Sequence, residues 1–282
     1  LDTELRRHGG DNRRLAIDKI EWLAGKAIEA KGIEIFEGQE VTECARLIKG
    51  PDEINAARCS ISACEASVAV LESQIRPGIS ELELWSHLHA ENIRRGGEWI
   101  ETRIMSSGPR TNPWYQECSA RVMEKGDLIA LDTDLIGPYG MCADISRTWL
   151  VGGGKPTDEQ SRLFSVAQEH IVTNMDMLKP GVSFAELTEK SHRLPEEFRS
   201  QRYGILMHGV GLCDEFPGIC YPEDYTEGVV EGFVLEAGMM LCVEAYVGEV
   251  GGREGVKLED QVLITEFGYD NLTRYSFDQR LI

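Results

Sequence analysis

At 282 residues the chain is long enough for one large domain or two, and it can bury a core without disulfide staples. Hydrophobic residues make up 42% and charged residues 27%, which excludes global disorder, collagen and coiled coil. Lys and Arg number 29 against 48 Asp and Glu, a net charge of −19 that repels phosphate and argues against nucleic-acid and membrane partners.

No apolar run approaches the ~18 residues of a membrane span. The opening LDTELRRHGG lacks the apolar stretch of a secretory signal and an initiator Met, so a cytoplasmic protein with a truncated or processed N-terminus is expected. Cys44, Cys59, Cys64, Cys118, Cys142, Cys213, Cys220 and Cys242 form no CxxC pair and read as small buried hydrophobes in a reducing compartment.

In chain order, residues 12–32 carry Leu15, Ile20, Leu23 and Ile28 at helical spacing and predict a helix. GIEIFEGQEV alternates like a short strand. In RLIKGPDEI, Pro51 fits the first turn of a helix running to about Leu71, with Asp52 and Glu53 near its positive end. Gly78 breaks the chain, and Ser80 with Glu83 forms a capping box for SELELWSHLHAENIRR. Residues 98–106 are extended and GPRTNPWYQE is a loop. GDLIALDTDLI and PYGMCADISRTWLV predict two strands joined by a turn at Gly137-Pro138. PTDEQSRLFSVAQEHIVTNMDML and SFAELTEKSHRLPEEF are helical, and from Gly204 onward short strands alternate with Gly-rich turns. The mixture predicts an α+β fold with an antiparallel sheet.

Six polar residues interrupt stretches that otherwise read as buried strand. Asp132 and Asp134 lie in LIALDTDLI, on one face by the strand period of two. Asp144 lies in MCADIS, His208 in GILMHGVGL, Glu244 in MMLCVEAYV and Glu259 in GVKLEDQVLIT. An isolated buried charge is costly, so such groups are paired or bind metal. Five carboxylates and one imidazole exceed what pairing absorbs, and two divalent cations would offset four of the five charges. Oxygen-rich ligation with one His suits iron, manganese, zinc or cobalt, and a bridging carboxylate holds two metals about 3.5–4 Å apart. His87, His89, His170 and His192 on helices and His8 in a polar tail read as surface or core residues.

Those residues, in that order, resemble the metallopeptidase superfamily of creatinase, prolidase, aminopeptidase P and methionine aminopeptidase, over about residues 46–270. The resemblance rests on RLIKGPDEI, GDLIALDTDLIGPYGMCADISRTW, HGVGL and EGVKLEDQVLIT. It implies a pita-bread fold, a curved antiparallel sheet covered by helices, and it implies a dinuclear metal centre and a homodimer. Residues 1–45 would then be the tail of an N-terminal domain and linker, and 46–282 the catalytic domain.

The sequence departs from the peptidase pattern at four places. Asp-x-Gly becomes Asp132-Thr133-Asp134, with Asp144 twelve residues after Asp132 rather than eleven. The peptidases' second His, seven residues after the metal His, is absent, and Asp214 and Glu215 stand at six and seven. A Pro-His becomes Pro113-Trp114, and Glu-Pro becomes Glu244-Ala245. With these departures the chain is similar to the DddP-type dimethylsulfoniopropionate lyases, a branch of the same fold. That resemblance implies β-elimination of a small zwitterionic sulfonium to dimethyl sulfide and acrylate. It implies two divalent ions, iron first with manganese, zinc or cobalt as alternatives, on Asp132, Asp134, Asp144, His208, Glu244 and Glu259. Asp214 is expected as base, Tyr203 as a partner of the cation or a polarising hydroxyl, and Trp114 and Tyr115 as aromatic faces for the sulfonium. The alternatives are a prolidase- or aminopeptidase P-like metallohydrolase and a non-catalytic pita-bread binding module.

Overall fold

A computed structural model describes residues 1–225 and 232–282. The chain divides into two compact units, Leu1–Leu47 and Ile48–Ile282.

The first unit contains α1 (Asp2–Gly9), β1 (Arg14–Ile17), α2 (Trp22–Glu29), β2 (Glu34–Glu37) and α3 (Gln39–Arg46), with β1 and β2 paired in parallel. The single helix expected over 12–32 is corrected to a strand and a shorter helix. Leu15 and Ile17 are half-buried while Arg14 and Ala16 are exposed, so period two prevails at its start.

The second unit opens with α4 (Pro51–Ser73), whose buried residues Ala57, Ile61, Cys64, Val68 and Leu71 recur every three or four positions. Each large aliphatic side chain removed from water this way contributes roughly 1.5–3 kcal/mol. Glu53 accepts from the Gly50 N–H at 2.7 Å and closes the helix start. The Ser80 side chain caps α5 (Glu81–Arg94) by accepting from the Glu83 N–H. The chain continues through β3 (Trp99–Ile100), β4 (Met105–Ser107), β5 (Leu128–Asp132), β6 (Leu135–Ile136), β7 (Cys142–Ala143) and β8 (Ser146–Leu150). Then come α6 (Asp158–Met175), α7 (Phe184–Lys190), α8 (Glu196–Arg199), β9 (Ile205–Val210), β10 (Asp214–Cys220), β11 (Met240–Gly248), β12 (Gly255–Ile264) and β13 (Tyr269–Asn271).

The helix expected over SFAELTEKSHRLPEEF is interrupted between Lys190 and Glu196. Pro195 disfavours helical backbone at Leu194 and starts α8 instead. Both long strands expected around the aspartates are also broken. Beyond Asp132 the chain leaves an eight-stranded antiparallel sheet, ordered β10-β9-β11-β12-β8-β5-β4 with β13 beside β12, and joins a three-stranded sheet, β3-β6-β7. Asp134 makes this change of sheet with φ of 36°, so it is not related to Asp132 by simple strand alternation.

Helices α4 and α5 share a core with β5 and β8 through Ile61, Leu84, Leu88, Ile129, Leu131 and Trp149, while α6 packs on β11 and β12. His170 of α6 is fully buried, its Nδ1 3.1 Å from His192 Nδ1 and its Nε2 3.1 Å from the Tyr221 hydroxyl. Burial, with His192 adding, pushes its pKa down to about 3, so it is a neutral core residue. Among the described residues, no helix is long and apolar enough to cross a membrane.

Candidate metal centre

Strand register brings the interrupting acids together. Glu244 on β11 pairs with Glu259 on β12, Glu259 with Ser146 on β8, and Ser146 with Asp132 on β5. These four residues form one row across four neighbouring strands. On the next strand, His208 of β9 pairs with Cys242, two residues from Glu244 and on the same face. Like charges directly opposite on a sheet repel, so this row requires cations.

One cation is built in. Lys257 precedes Glu259 by two positions and is fully buried. Its Nζ lies 2.7 Å from Glu259 Oε2, 2.9 Å from Glu244 Oε2 and 3.3 Å from Asp132 Oδ2. Ser146 Oγ lies 2.6 Å from Asp132 Oδ1 and 2.8 Å from Glu259 Oε2. His208 Nε2 stands 3.3, 3.5 and 3.7 Å from Glu259, Asp144 and Glu244.

A cavity of about 170 Å³ opens on this row, lined by Glu101, Thr102, Ile104, Tyr115, Asp132, Asp134, Asp144, Tyr203, His208, Asp214 and Glu244. Glu259 is not part of this lining but contacts His208 and Lys257. Seven carboxyl groups, Glu259 included, therefore crowd one site, and their pKa shifts reflect it. Burial pushes Asp132 up to about 7, with Lys257 opposing and Glu259 and Glu244 adding. Burial likewise raises Glu244 to about 7 and Asp134, with Asp132 adding, to about 6. Asp144 is raised further by burial, Glu259 and Asp132. Against its own burial, Glu259 is held well below the usual carboxylate range by Lys257 and His208.

The donor set fits divalent metal. Ligand atoms of Asp144, His208, Cys242 and Glu259 lie within 4.8 Å of one another, and so do those of Asp134, Asp144 and Asp214. Asp144 belongs to both groups, as a bridging carboxylate does. Glu244 Oε1 is buried and accepts no hydrogen bond, a cost that a cation would remove.

Asp214 opens β10 and its side chain is 34% exposed. Its Oδ1 lies 3.8 Å from His208 Nδ1 and 3.7 Å from Cys142 Sγ. Burial pushes Asp214 up to about 7, with His208 opposing and Asp134 adding. Glu215 points the other way and forms a buried ion pair with Lys49 at 2.7 Å.

Tyr115 and Tyr203 line the cavity and stack with ring centroids 6.1 Å apart. Burial first, then Glu244, raises Tyr203 far above the usual phenol range, so it keeps its proton. Trp114 is not among the residues lining the cavity. It is 7% exposed, stacks on Tyr246 at 5.6 Å, and presents its ring to Lys257 Nζ at 5.6 Å. The cysteine expectation is corrected in part. Cys44 and Cys59 are exposed, and buried Cys242 contributes a thiol to the ligand-type cluster.

Sequence reasoning missed Lys257, Glu101 and Thr102. Lys257 carried the same signal as Glu259, a charge inside an apolar strand.

Residues 55–266 match metallopeptidase family M24. The dimethylsulfoniopropionate lyase DddP of Roseovarius nubinhibens is 56% identical over 99% of this chain and 64% of its own length. That of Roseobacter denitrificans is 52% identical over 99% of this chain and 63% of its own. The chain thus spans just under two thirds of these relatives. Among solved structures, the prolidase from Pyrococcus furiosus superposes with a TM-score of 0.82 at 26% identity, covering 94% of this chain and 77% of the prolidase. These likenesses bear out the expected resemblance and the α+β pita-bread fold.

Proposed function

The chain belongs to metallopeptidase family M24, and from that membership we propose that it is a metal-dependent lyase cleaving dimethylsulfoniopropionate to dimethyl sulfide and acrylate. One observation carries the reading. Where the peptidase pattern has its second His, Glu215 is turned into a buried pair with Lys49, and Asp214 beside it faces the cavity instead. Among the described residues, His208 is the one imidazole lining that cavity. The site therefore offers a carboxylate base and lacks the second imidazole of the hydrolases. The two relatives named as DddP lyases support the same reading.

In this reading Asp132, Asp134, Asp144, His208, Glu244 and Glu259 hold two divalent ions, iron first, with manganese, zinc or cobalt as alternatives. Bound metal supplies positive charge that receives the substrate carboxylate and stabilises the charge developing next to it. Asp214 takes the proton from the carbon beside the carboxylate. The C–H electron pair becomes the double bond of acrylate, and the C–S pair leaves with sulfur as neutral dimethyl sulfide. A base poised near neutral pH suits this task, and crowding by burial and Asp134 acts in that direction. The Tyr203 hydroxyl stays protonated and, with Tyr115, offers a wall to the sulfonium. The same reading takes residues 1–45 as the end of an N-terminal domain, a homodimer as the assembly, and the cytoplasm as the compartment.

Incubation of metal-loaded protein with dimethylsulfoniopropionate, and separately with an Xaa-Pro dipeptide, tests the proposal by proton NMR. Acrylate is expected to accumulate from the first and no free proline from the second. Proline release without acrylate would replace the lyase with a metallohydrolase.

A further inference from the structure

The cavity lining divides into a buried floor and an exposed mouth. Asp132, Asp134, Asp144 and Glu244 are at most 8% exposed, whereas Tyr115 is 60% exposed and Glu101 is exposed as well. Glu101 is held in place by its neighbourhood. Its N–H donates to the Asp134 carbonyl at 3.0 Å, and the adjoining Thr102 hydroxyl donates to the Asp134 carboxylate. No hydrogen bond or ion pair engages the Glu101 carboxylate among the described residues. Its electrostatic neighbours are another acid, Asp214, and the Cys142 thiol, so among the described residues no cation balances it. Tyr115, also at the mouth, stacks on Tyr203 at an interplanar angle of 18°. It holds φ of 76°, a left-handed conformation that a bulky side chain adopts only where its surroundings impose it.

Charge balance says what such a mouth accepts. Asp132, Asp134, Asp144, Asp214, Glu244 and Glu259 bring six negative charges. Lys257 offsets one and two divalent ions offset four, leaving one (6 − 1 − 4), with His208 neutral as a ligand. A substrate carboxylate adds a second, and Glu101 a third. A ligand with a fixed cation at its other end is the one that leaves this balance unchanged on binding. A sulfonium or quaternary ammonium centre offers no N–H or O–H to donate, so an unpaired carboxylate and aromatic faces are the partners that recognise it.

We infer that Glu101 is the specificity residue for the positive end of the substrate, its carboxylate and the Tyr115–Tyr203 pair together forming a subsite for a sulfonium or quaternary ammonium group. This rests on the reading of the substrate as a sulfonium zwitterion and names the residue that selects it.

Two carboxylates of matched shape test it, trimethylammonio-propanoate with a cationic tail and 4,4-dimethylpentanoate with a neutral tail, titrated calorimetrically into metal-loaded protein. Wild type is expected to bind the cationic-tailed ligand at least about tenfold more tightly, and E101Q to lose about tenfold for it while changing the neutral-tailed ligand less than about twofold. E101D, which keeps the charge, is expected to fall between. For dimethylsulfoniopropionate, KM should rise in E101Q by more than kcat falls. Equal weakening for both ligands, or no weakening for either, would overturn the assignment. These binding measurements do not depend on turnover. A cation preference lost in E101Q from a protein that releases no dimethyl sulfide would keep the subsite and sink the lyase. Dimethyl sulfide release with an unchanged KM in E101Q would do the reverse.

Discussion

Asp214→Asn is expected to lower dimethyl sulfide release by about a thousandfold or more, with metal content unchanged. General-base removal costs typically 10²–10⁴-fold, and the proton beside a carboxylate is a poor acid, which places this case toward the upper end. Asn preserves the shape of Asp214, which stands at the strand start of β10 with its side chain 34% exposed and its His208 contact at 3.8 Å. The variant should therefore fold and melt like wild type. Metal analysis separates two roles, because Asp214 also lies within 4.8 Å of Asp134 and Asp144 in a ligand-type group. Loss of metal from the variant would make Asp214 a ligand and sink its assignment as base. Turnover within tenfold of wild type at full metal content would remove it from the chemistry altogether.

Lys257→Met should be the most destabilising single change at the site. It leaves Asp132, Glu244 and Glu259 without the ammonium that lies within 3.3 Å of each. Removing one partner from a buried ion pair costs about 3–5 kcal/mol, because the other charge stays buried and unpaired. For a unit of this size each kcal/mol moves the melting temperature about 2–4 °C. Chelated protein is expected to melt roughly 6–20 °C lower than chelated wild type. Excess divalent metal should recover part of this, since it supplies positive charge to the same carboxylates. Lys257→Arg, which keeps the charge, should lose less than Met. A chelated Lys257→Met protein that melts within 2 °C of wild type, by calorimetry, would show that the carboxylate row does not depend on this ammonium.

Much of the site was legible in the sequence because charge inside an apolar strand is rare and costly. That signal marked Asp132, Asp144, His208, Glu244 and Glu259; strand register carries four of them to one place, and Asp144 joins them from the link between β7 and β8. Lys257 carries the same signal but went unmarked, because a lysine reads as an ordinary surface cation until Glu259 is known to share its face. Asp134 reaches the cavity by a route that strand periodicity does not describe, through a positive φ where the chain changes sheets. Which of two adjacent aromatics faces a cavity is likewise a matter of backbone conformation. Tyr115, at φ of 76°, turns outward to the mouth while Trp114 packs inward on Tyr246. Glu101 sits in a segment readable only as extended, and its importance comes from Asp134, which lies 33 residues on in the chain and holds it by backbone contact. The fold class was legible from hairpin-rich organisation and the motif order. The break before Pro195 and the split of residues 12–32 were local contests in which helical spacing lost to proline and to period two.

The central claim, a metal-dependent elimination in this cavity, is tested most directly by headspace gas chromatography on one preparation in three states. The protein is assayed with dimethylsulfoniopropionate as metal-loaded, after chelation, and after reloading with about two equivalents of divalent iron. The account predicts dimethyl sulfide in the first state, loss in the second and recovery in the third, with acrylate formed one for one. Folded, metal-replete protein that releases no dimethyl sulfide, or release that survives complete chelation, would contradict it.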